Sequence, residues 1–345
     1  MILPDRKLLG VAVYAALLAT TSRLAAADVA RLRPTRVIQL EGQPPQGYPP
    51  VVTVLQIHPD GRRLVIAGDD HQVRLWHVAG TQPLQTLRGH HDWVRCASFS
   101  PDGGRLTTAG NDRRVLVWDV EGGQLLRELP TFPQAVGAAV YSGDGRWLAV
   151  AGFQNQMRIY DAADGRLVRE LACPCRDMRA VAFSPDGRRL AAGGRNGRLR
   201  VWSLTEDWQS QDAPAHAQRI HAVTFTADSR HLISAGEDRT VRGWNAADLS
   251  DQFTLARVPG KVLALALVPP DRIALAGSDN VVWLWSLATR QPVGRLEGHT
   301  GSVAAVAVHD RLLATGGYDG TVCLWQLDQA PELAGNEAGP GVQRQ

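Results

Sequence analysis

The chain has 345 residues, 44% hydrophobic and 21% charged, with 34 Gly and 20 Pro, which is ordinary globular composition with many tight turns. Net charge is +3, and removing Met1–Ala27 takes away Arg6, Lys7, Arg23 and Asp5 and leaves +1. A near-neutral body lacks the concentrated basic field that phosphate binding needs, so nucleic acid is excluded as the main partner.

In chain order, the first element is a leader. Arg6 and Lys7 precede the twelve-residue apolar run Leu8–Ala19, and Ala25-Ala26-Ala27 forms a small-residue cleavage site before Asp28. Twelve residues are too few to span a bilayer, which takes about 20. The pattern is that of a Sec-type signal peptide over 1–27, and it predicts a periplasmic or secreted protein with no stable membrane insertion after cleavage. An uncleaved N-terminal anchor is the alternative. Residues 28–34 read as a linker and 329–345, rich in Gly, Glu, Gln and Pro, as a disordered tail.

Between them the chain repeats. Trp76, Trp118, Tyr160, Trp202, Trp244, Trp285 and Trp325 are spaced by 42, 42, 42, 42, 41 and 40 residues, and each closes a short apolar run such as Val115-Leu116-Val117-Trp118. A Gly stands eight residues before every one of these aromatics, from Gly68 to Gly317. Turn residues recur earlier in each unit, as in Pro59-Asp60-Gly61, Pro101-Asp102-Gly103 and Pro185-Asp186-Gly187. Each unit reads strand, tight turn, strand, short turn, strand ending in Trp, then a connecting strand. Four antiparallel strands in about 42 residues is the period of a propeller blade.

The motifs resemble the WD40 repeat family over residues 35–328. Gly89-His90 and Gly298-His299 open repeats, Trp118-Asp119 is a literal WD pair, and Ser184-Pro185-Asp186-Gly187 matches the family turn. The resemblance implies an all-β, seven-bladed β-propeller of four-stranded antiparallel sheets. It also implies buried tetrads of His, Asp, Ser or Thr, and Trp. Three sets fit: His90, Thr108, Asp112 and Trp118; His216, Ser234, Asp238 and Trp244; His299, Thr315, Asp319 and Trp325. The other four repeats carry Ile66, Val150, Ala192 and Leu275 at the hydroxyl position and lack the His as well. Partners that come and go together are expected if an unpaired buried polar group costs about 1–3 kcal/mol. After Trp325 only Gln326-Leu327 remain before polar residues, so the last blade lacks its own outer strand. Arg36–Leu40 is predicted to supply it, beside Thr321–Leu327, and so to close the ring.

Candidate chemistry is sparse. A His–Asp–Ser/Thr set that recurs on the blade period and points at a core Trp is structural rather than a catalytic triad, which needs one exposed nucleophile beside an oxyanion hole. No phosphate loop, dinucleotide fingerprint, HExxH or GxSxG is present. The reading is therefore no enzyme, no cofactor and no metal. Cys173-Pro174-Cys175 allows a disulfide, a metal-ligand pair or two free thiols, and an oxidising compartment favours the disulfide. His221 reads as a channel-lining imidazole without partners. Placing the repeats in register puts Trp93, Arg95, Phe153, Arg195, Arg219, Lys261 and Tyr318 on the channel-mouth face, with Arg113, Phe132, Arg176 and Met178 on or near it. Exposed aromatics and Arg are interface residue types. The expected function is a non-catalytic protein–protein interaction scaffold of the cell envelope. It would be a monomeric propeller within a larger complex, holding a protein or peptide, acidic by preference, on that face. Two alternatives stay open: a periplasmic propeller enzyme or cofactor binder of hydrolase or quinoprotein type, and an assembly factor for an exported redox or envelope complex.

Overall fold

A computed structural model describes residues 29–41, 47, 49–250 and 252–327; the leader read over 1–27 and the tail read over 329–345 lie outside these. The described residues form seven antiparallel four-stranded sheets in a ring, a seven-bladed β-propeller. The first blade consists of Val52–Ile57, Arg63–Gly68, Val73–His77 and Pro83–Leu87, from the channel outward. The next five repeat the order, with innermost strands Val94–Phe99, Val136–Tyr141, Met178–Phe183, Ile220–Phe225 and Val262–Val268.

The seventh blade runs Val303–His309, Leu312–Gly317 and Thr321–Gln326, and its outer strand is Arg36–Gln39 from the other end of the chain. Arg36 faces Leu324, Val37 faces Cys323, Ile38 faces Val322 and Gln39 faces Thr321. Thr35 N–H and Leu40 N–H extend the pairing to the carbonyls of Leu324 and Gly320. The Arg36 guanidinium crosses to the first blade and donates to the Val78 carbonyl at 2.8 Å and to that of Gly80. One further strand was not foreseen. Ala30–Leu32, inside the stretch read as a linker, lies parallel to Pro292–Glu297 as a fifth strand on blade six.

No blade has a core of its own. Seven apolar clusters form, each shared by two neighbouring blades. One joins Val54, Val65, Leu75 and Val73 of blade one to Leu106, Leu116 and Trp118 of blade two. Another joins Ile38, Val322 and Leu324 of blade seven to Leu55, Leu64 and Trp76 of blade one. Alternation makes this possible, because each sheet presents one apolar face to either side.

The glycine that precedes the aromatic has one cause in six blades, while at Gly317 of the seventh a Cβ would instead meet His299 Nδ1 and the Asp319 carboxylate. The innermost strand of every blade bulges at its second residue, where the pairing with the next strand slips by one. The bulge presses a carbonyl onto the end of the neighbouring strand. At Gly110 a Cβ would overlap the Trp93 carbonyl oxygen. A bulge re-aims the extra residue, so each blade turns one residue toward the channel: Thr53, Arg95, Gly137, Arg179, His221, Leu263 and Ala304.

Closure gives a test on two adjacent residues. Ile38 is buried and Val37 is half exposed. Ile38→Ala should lower the unfolding free energy by about 2–5 kcal/mol, and Val37→Ala by less than about 0.5 kcal/mol. Urea denaturation followed by tryptophan fluorescence reads both. Equal midpoints for the two variants would contradict the closing role of this strand.

Candidate functional site: the channel mouth and its supports

The three polar sets hold the loops in place. In blade two, Trp118 Nε1–H donates to Thr108 Oγ1 at 2.8 Å, Thr108 lies 2.8 Å from His90 Nε2, and His90 Nδ1 lies 2.8 Å from Asp112. Asp112 also accepts the backbone N–H groups of His91 and Arg114 at 3.1 Å each. Blade five repeats this with Trp244, Ser234, His216 and Asp238 at 2.9, 2.8 and 2.9 Å. Blade seven does so with Trp325, Thr315, His299 and Asp319 at 3.1, 2.7 and 3.1 Å. Each chain of bonds runs from a buried Trp to the connection that enters its blade. None exposes a nucleophile.

Where the set is missing, the Asp finds other donors. Asp70 pairs with Arg74, and Asp279 accepts Trp283 Nε1–H at 2.8 Å. The Trp does not disappear with its partner: Trp76 and Trp285 keep buried indole N–H groups with no bond among the described residues. Magnitudes explain why. A buried Trp removes 150–250 Å² from water, worth about 4–6 kcal/mol at about 25 cal/mol/Å². The unpaired N–H costs only about 1–3 kcal/mol.

Burial pushes His216 below its ordinary value against the opposing pull of Asp238. Burial works to raise Asp238, yet His216 and Thr240 hold it low. A His depressed in the folded state contributes stability above its unfolded pKa of about 6.5 and loses it as pH falls. A depressed Asp loses its contribution below about 3.9. The difference in melting temperature between wild type and His216→Gln should therefore shrink from pH 7 to pH 5. A difference that grows on acidification would reverse the assignment. Thr108→Val, which keeps the shape but strands both Trp118 and His90, should cost about 1–3 kcal/mol, measured by the same denaturation curves.

The predicted face residues divide into three groups. Trp93 and Tyr318 are 36% and 52% exposed, and Arg195 is exposed with its guanidinium free of protein partners among the described residues. Arg95 lies 5.2 Å over the Trp93 ring and donates through Nε to Asn111 at 2.7 Å. Phe153 is half-buried beneath Arg179, 5.3 Å from its ring. Phe132 and Met178 are corrected: both are buried, Phe132 against Tyr160 and Arg158.

Arg219 and Lys261 are on this face, but not as free cations. Asp177 accepts Arg179 Nε–H at 2.7 Å and Arg219 at 2.6 Å. Glu237 accepts Arg219 at 3.4 Å, Lys261 at 3.4 Å and His221 at 3.0 Å. His221 is thus paired, contrary to the sequence expectation. Burial works to raise Glu237, yet His221 and Lys261 hold it below the usual carboxylate value. Asp177 is buried and sits in the left-handed region at φ 62°. Held strain of that kind clusters at functional sites. Sequence reasoning missed Asp177, Arg179 and Glu237. The 42-residue register could have found them, since Asp177 shares its place with Trp93 and Arg219, and Glu237 shares its place with Phe153, Arg195 and Tyr318.

In the structure Cys173 and Cys175 are unbridged thiols, one of the alternatives left open by the sequence. They face different neighbours: Cys173 Sγ lies 3.9 Å from the Leu171 carbonyl and Cys175 Sγ 3.7 Å from Met178 Sδ. Burial, and then the Cys175 sulfur, push the Cys173 thiol up to about 12. Among the described residues, no three His, Cys, Asp or Glu side chains gather as a metal site. A cavity of about 770 Å³ opens on the opposite face between Asp60, Pro270, His309 and Gln326.

A closed ring of seven blades, with an assembled polar rim around one end of its channel, is a display scaffold. The chain belongs to the WD40 family: the model for the WD domain, G-beta repeat, matches residues 38–77, 81–119, 165–203, 209–245 and 290–326. Propellers of this family are generally non-catalytic scaffolds for protein interaction. The matches leave out residues 120–164 and 246–289, which hold the three inner strands of blades three and six.

Over 62 residues the chain is 45% identical to Mitochondrial division protein 1 of Pyricularia oryzae, a stretch covering 18% of this chain and 9% of that protein. The protein of the same name from Neurospora crassa is 44% identical over 55 residues, 16% of this chain and 8% of the relative. That of Schizosaccharomyces pombe is 40% identical over 60 residues, 17% and 9%. The chain thus spans about a tenth of the length of these relatives. Their names overturn the periplasmic or secreted location expected from the leader, because they are fungal proteins of mitochondrial division.

Proposed function

We propose that this propeller is a non-catalytic scaffold that holds an extended segment of a partner protein across the channel mouth. The observation that carries this reading is that Trp93 and Tyr318 are exposed on loops held from beneath by the tetrads of blades two and seven, with Arg195 exposed and partner-free among the described residues on a blade-four loop of the same face. Loops on a rigid support bind with little ordering cost. Aromatic and Arg side chains carry most interface energy. Arg95 and Arg195 favour an acidic segment, since their charges are not consumed by Asp177 or Glu237. The names of the fungal relatives support mitochondrial division as a process in which such a scaffold would serve.

The test is recovery of partners from the native source. The triple variant Trp93→Ala, Arg195→Ala, Tyr318→Ala should keep its fold, as all three side chains are exposed. It should lose at least about 2 kcal/mol of binding, roughly thirtyfold in recovery at limiting bait. Mass spectrometry of the two pull-downs reads the difference, and an unchanged set of partners would refute this face as the binding surface.

A further inference from the structure

The seven bulged residues form an uneven ring. Blades two, four and five place Arg95, Arg179 and His221 at the channel, whereas blades six and seven place Leu263 and Ala304. Between the two arginines, blade three offers only Gly137. A Cβ there would stand 2.9 Å from the Met178 carbonyl oxygen and 3.4 Å from Arg179 Cγ. Glycine therefore lets the Arg179 stem lie across the third blade and leaves a gap beside it. Arg95, Gly137 and Arg179 all line a cavity of about 220 Å³ within the channel, together with alanines and valines.

The donors there are incompletely used. Arg95 spends Nε on Asn111, and its two terminal amino groups have no protein partner among the described residues. Arg179 spends Nε on Asp177, with a longer contact of 3.5 Å from one amino group. Burial and the like charge of Arg179 both push Arg95 below its ordinary value. Two guanidiniums facing one small cavity repel each other until an anion comes between them.

We propose that the gap over Gly137, between Arg95 and Arg179, is a carboxylate site that takes one Asp or Glu side chain of the partner segment. This rests on the channel-mouth reading and adds the residue that the segment must carry. Size and charge select a carboxylate. The cavity holds a side-chain-sized group. Asp177 next to Arg179, and Glu237 beyond it, leave only a modest positive excess, which suits one negative charge. Planar guanidiniums match the two oxygens of a carboxylate.

The test uses the full chain and two rhodamine-labelled nonapeptides in a Gly/Ser background, one with a central Glu-Glu and one with Gln-Gln. Fluorescence anisotropy at low salt should show the Glu peptide bound at least about tenfold tighter, the effect of one charge-assisted contact, with the preference fading as salt rises. Arg95→Gln and Arg179→Gln should each cut the preference several-fold, and together remove it. The pair Arg188→Gln and Arg230→Gln, on turns of the opposite face, removes the same net charge and should leave it intact. Near-UV circular dichroism confirms that each variant is folded, and the single variants carry the test if the double one is not.

No preference in the native protein, or a preference that survives loss of both channel arginines, overturns the site. Partner recovery by the native protein with no Glu preference sinks the carboxylate site and leaves the channel-mouth reading standing. A Glu preference beside undiminished partner recovery by the Trp93/Arg195/Tyr318 variant does the reverse.

Discussion

Everything in this molecule depends on the pairing of Arg36–Gln39 with Thr321–Gln326. A blade cannot bury either of its faces alone, and each apolar cluster needs two blades. Six interfaces form between sequence neighbours. The seventh exists only if the two ends of the chain meet. Its closing strand supplies Ile38 directly to the cluster shared by blades seven and one. Arg36 reaches on to blade one, and Ala30–Leu32 reaches back to blade six. The N-terminal segment therefore ties three consecutive blades at the one place where chain continuity does not.

The closed ring makes the bulge useful. Repeated seven times, one slip in register does two unrelated things. In six blades it requires a glycine on the neighbouring strand, and in all seven it aims a single residue at the channel. The glycine is a packing demand and barely varies. The aimed residue varies, and its identity runs from Gly137, where a Cβ would press on the Met178 carbonyl, to Arg179. A constant backbone device thus carries a variable side chain, which lets a repeat fold hold a site without symmetry.

The fold was legible because its signal is periodic. Seven aromatics at near-constant spacing, each with its glycine, fix the strand order and the blade count, and the short seventh repeat implies the closing strand. Trp93, Arg195 and Tyr318 could be placed on the mouth by register alone. Other features were hidden because they depend on contacts between repeats. Asp177 and Glu237 draw Arg219 and Lys261 out of the pool of free cations, and nothing local in the sequence announces this. Phe132 and Met178 look like loop residues in the register, but tertiary packing buries them. The parallel strand Ala30–Leu32 has three residues and no alternation to read. The paired thiols of Cys173-Pro174-Cys175 were ambiguous because reactivity there depends on what each sulfur faces.

The acids at the mouth do more than cancel charge. An unrestrained Arg has several rotatable bonds, and holding it still for a ligand costs about 1–2 kcal/mol of rotamer entropy. Asp177 grips Arg179 and Arg219 from a buried position, and Asn111 grips Arg95. For Arg95 and Arg179 the bond is to one edge of the guanidinium, so the opposite edge keeps donors, whereas Arg219 spends one amino group on Asp177 and the other on Glu237. The left-handed backbone at Asp177 adds about 1–3 kcal/mol of local strain to this arrangement. That strain is sustained because two arginines bind the carboxylate and the surrounding blades hold the backbone. The arginines facing the channel are thus fixed before any partner arrives, which converts ordering cost at binding into a cost already met in folding.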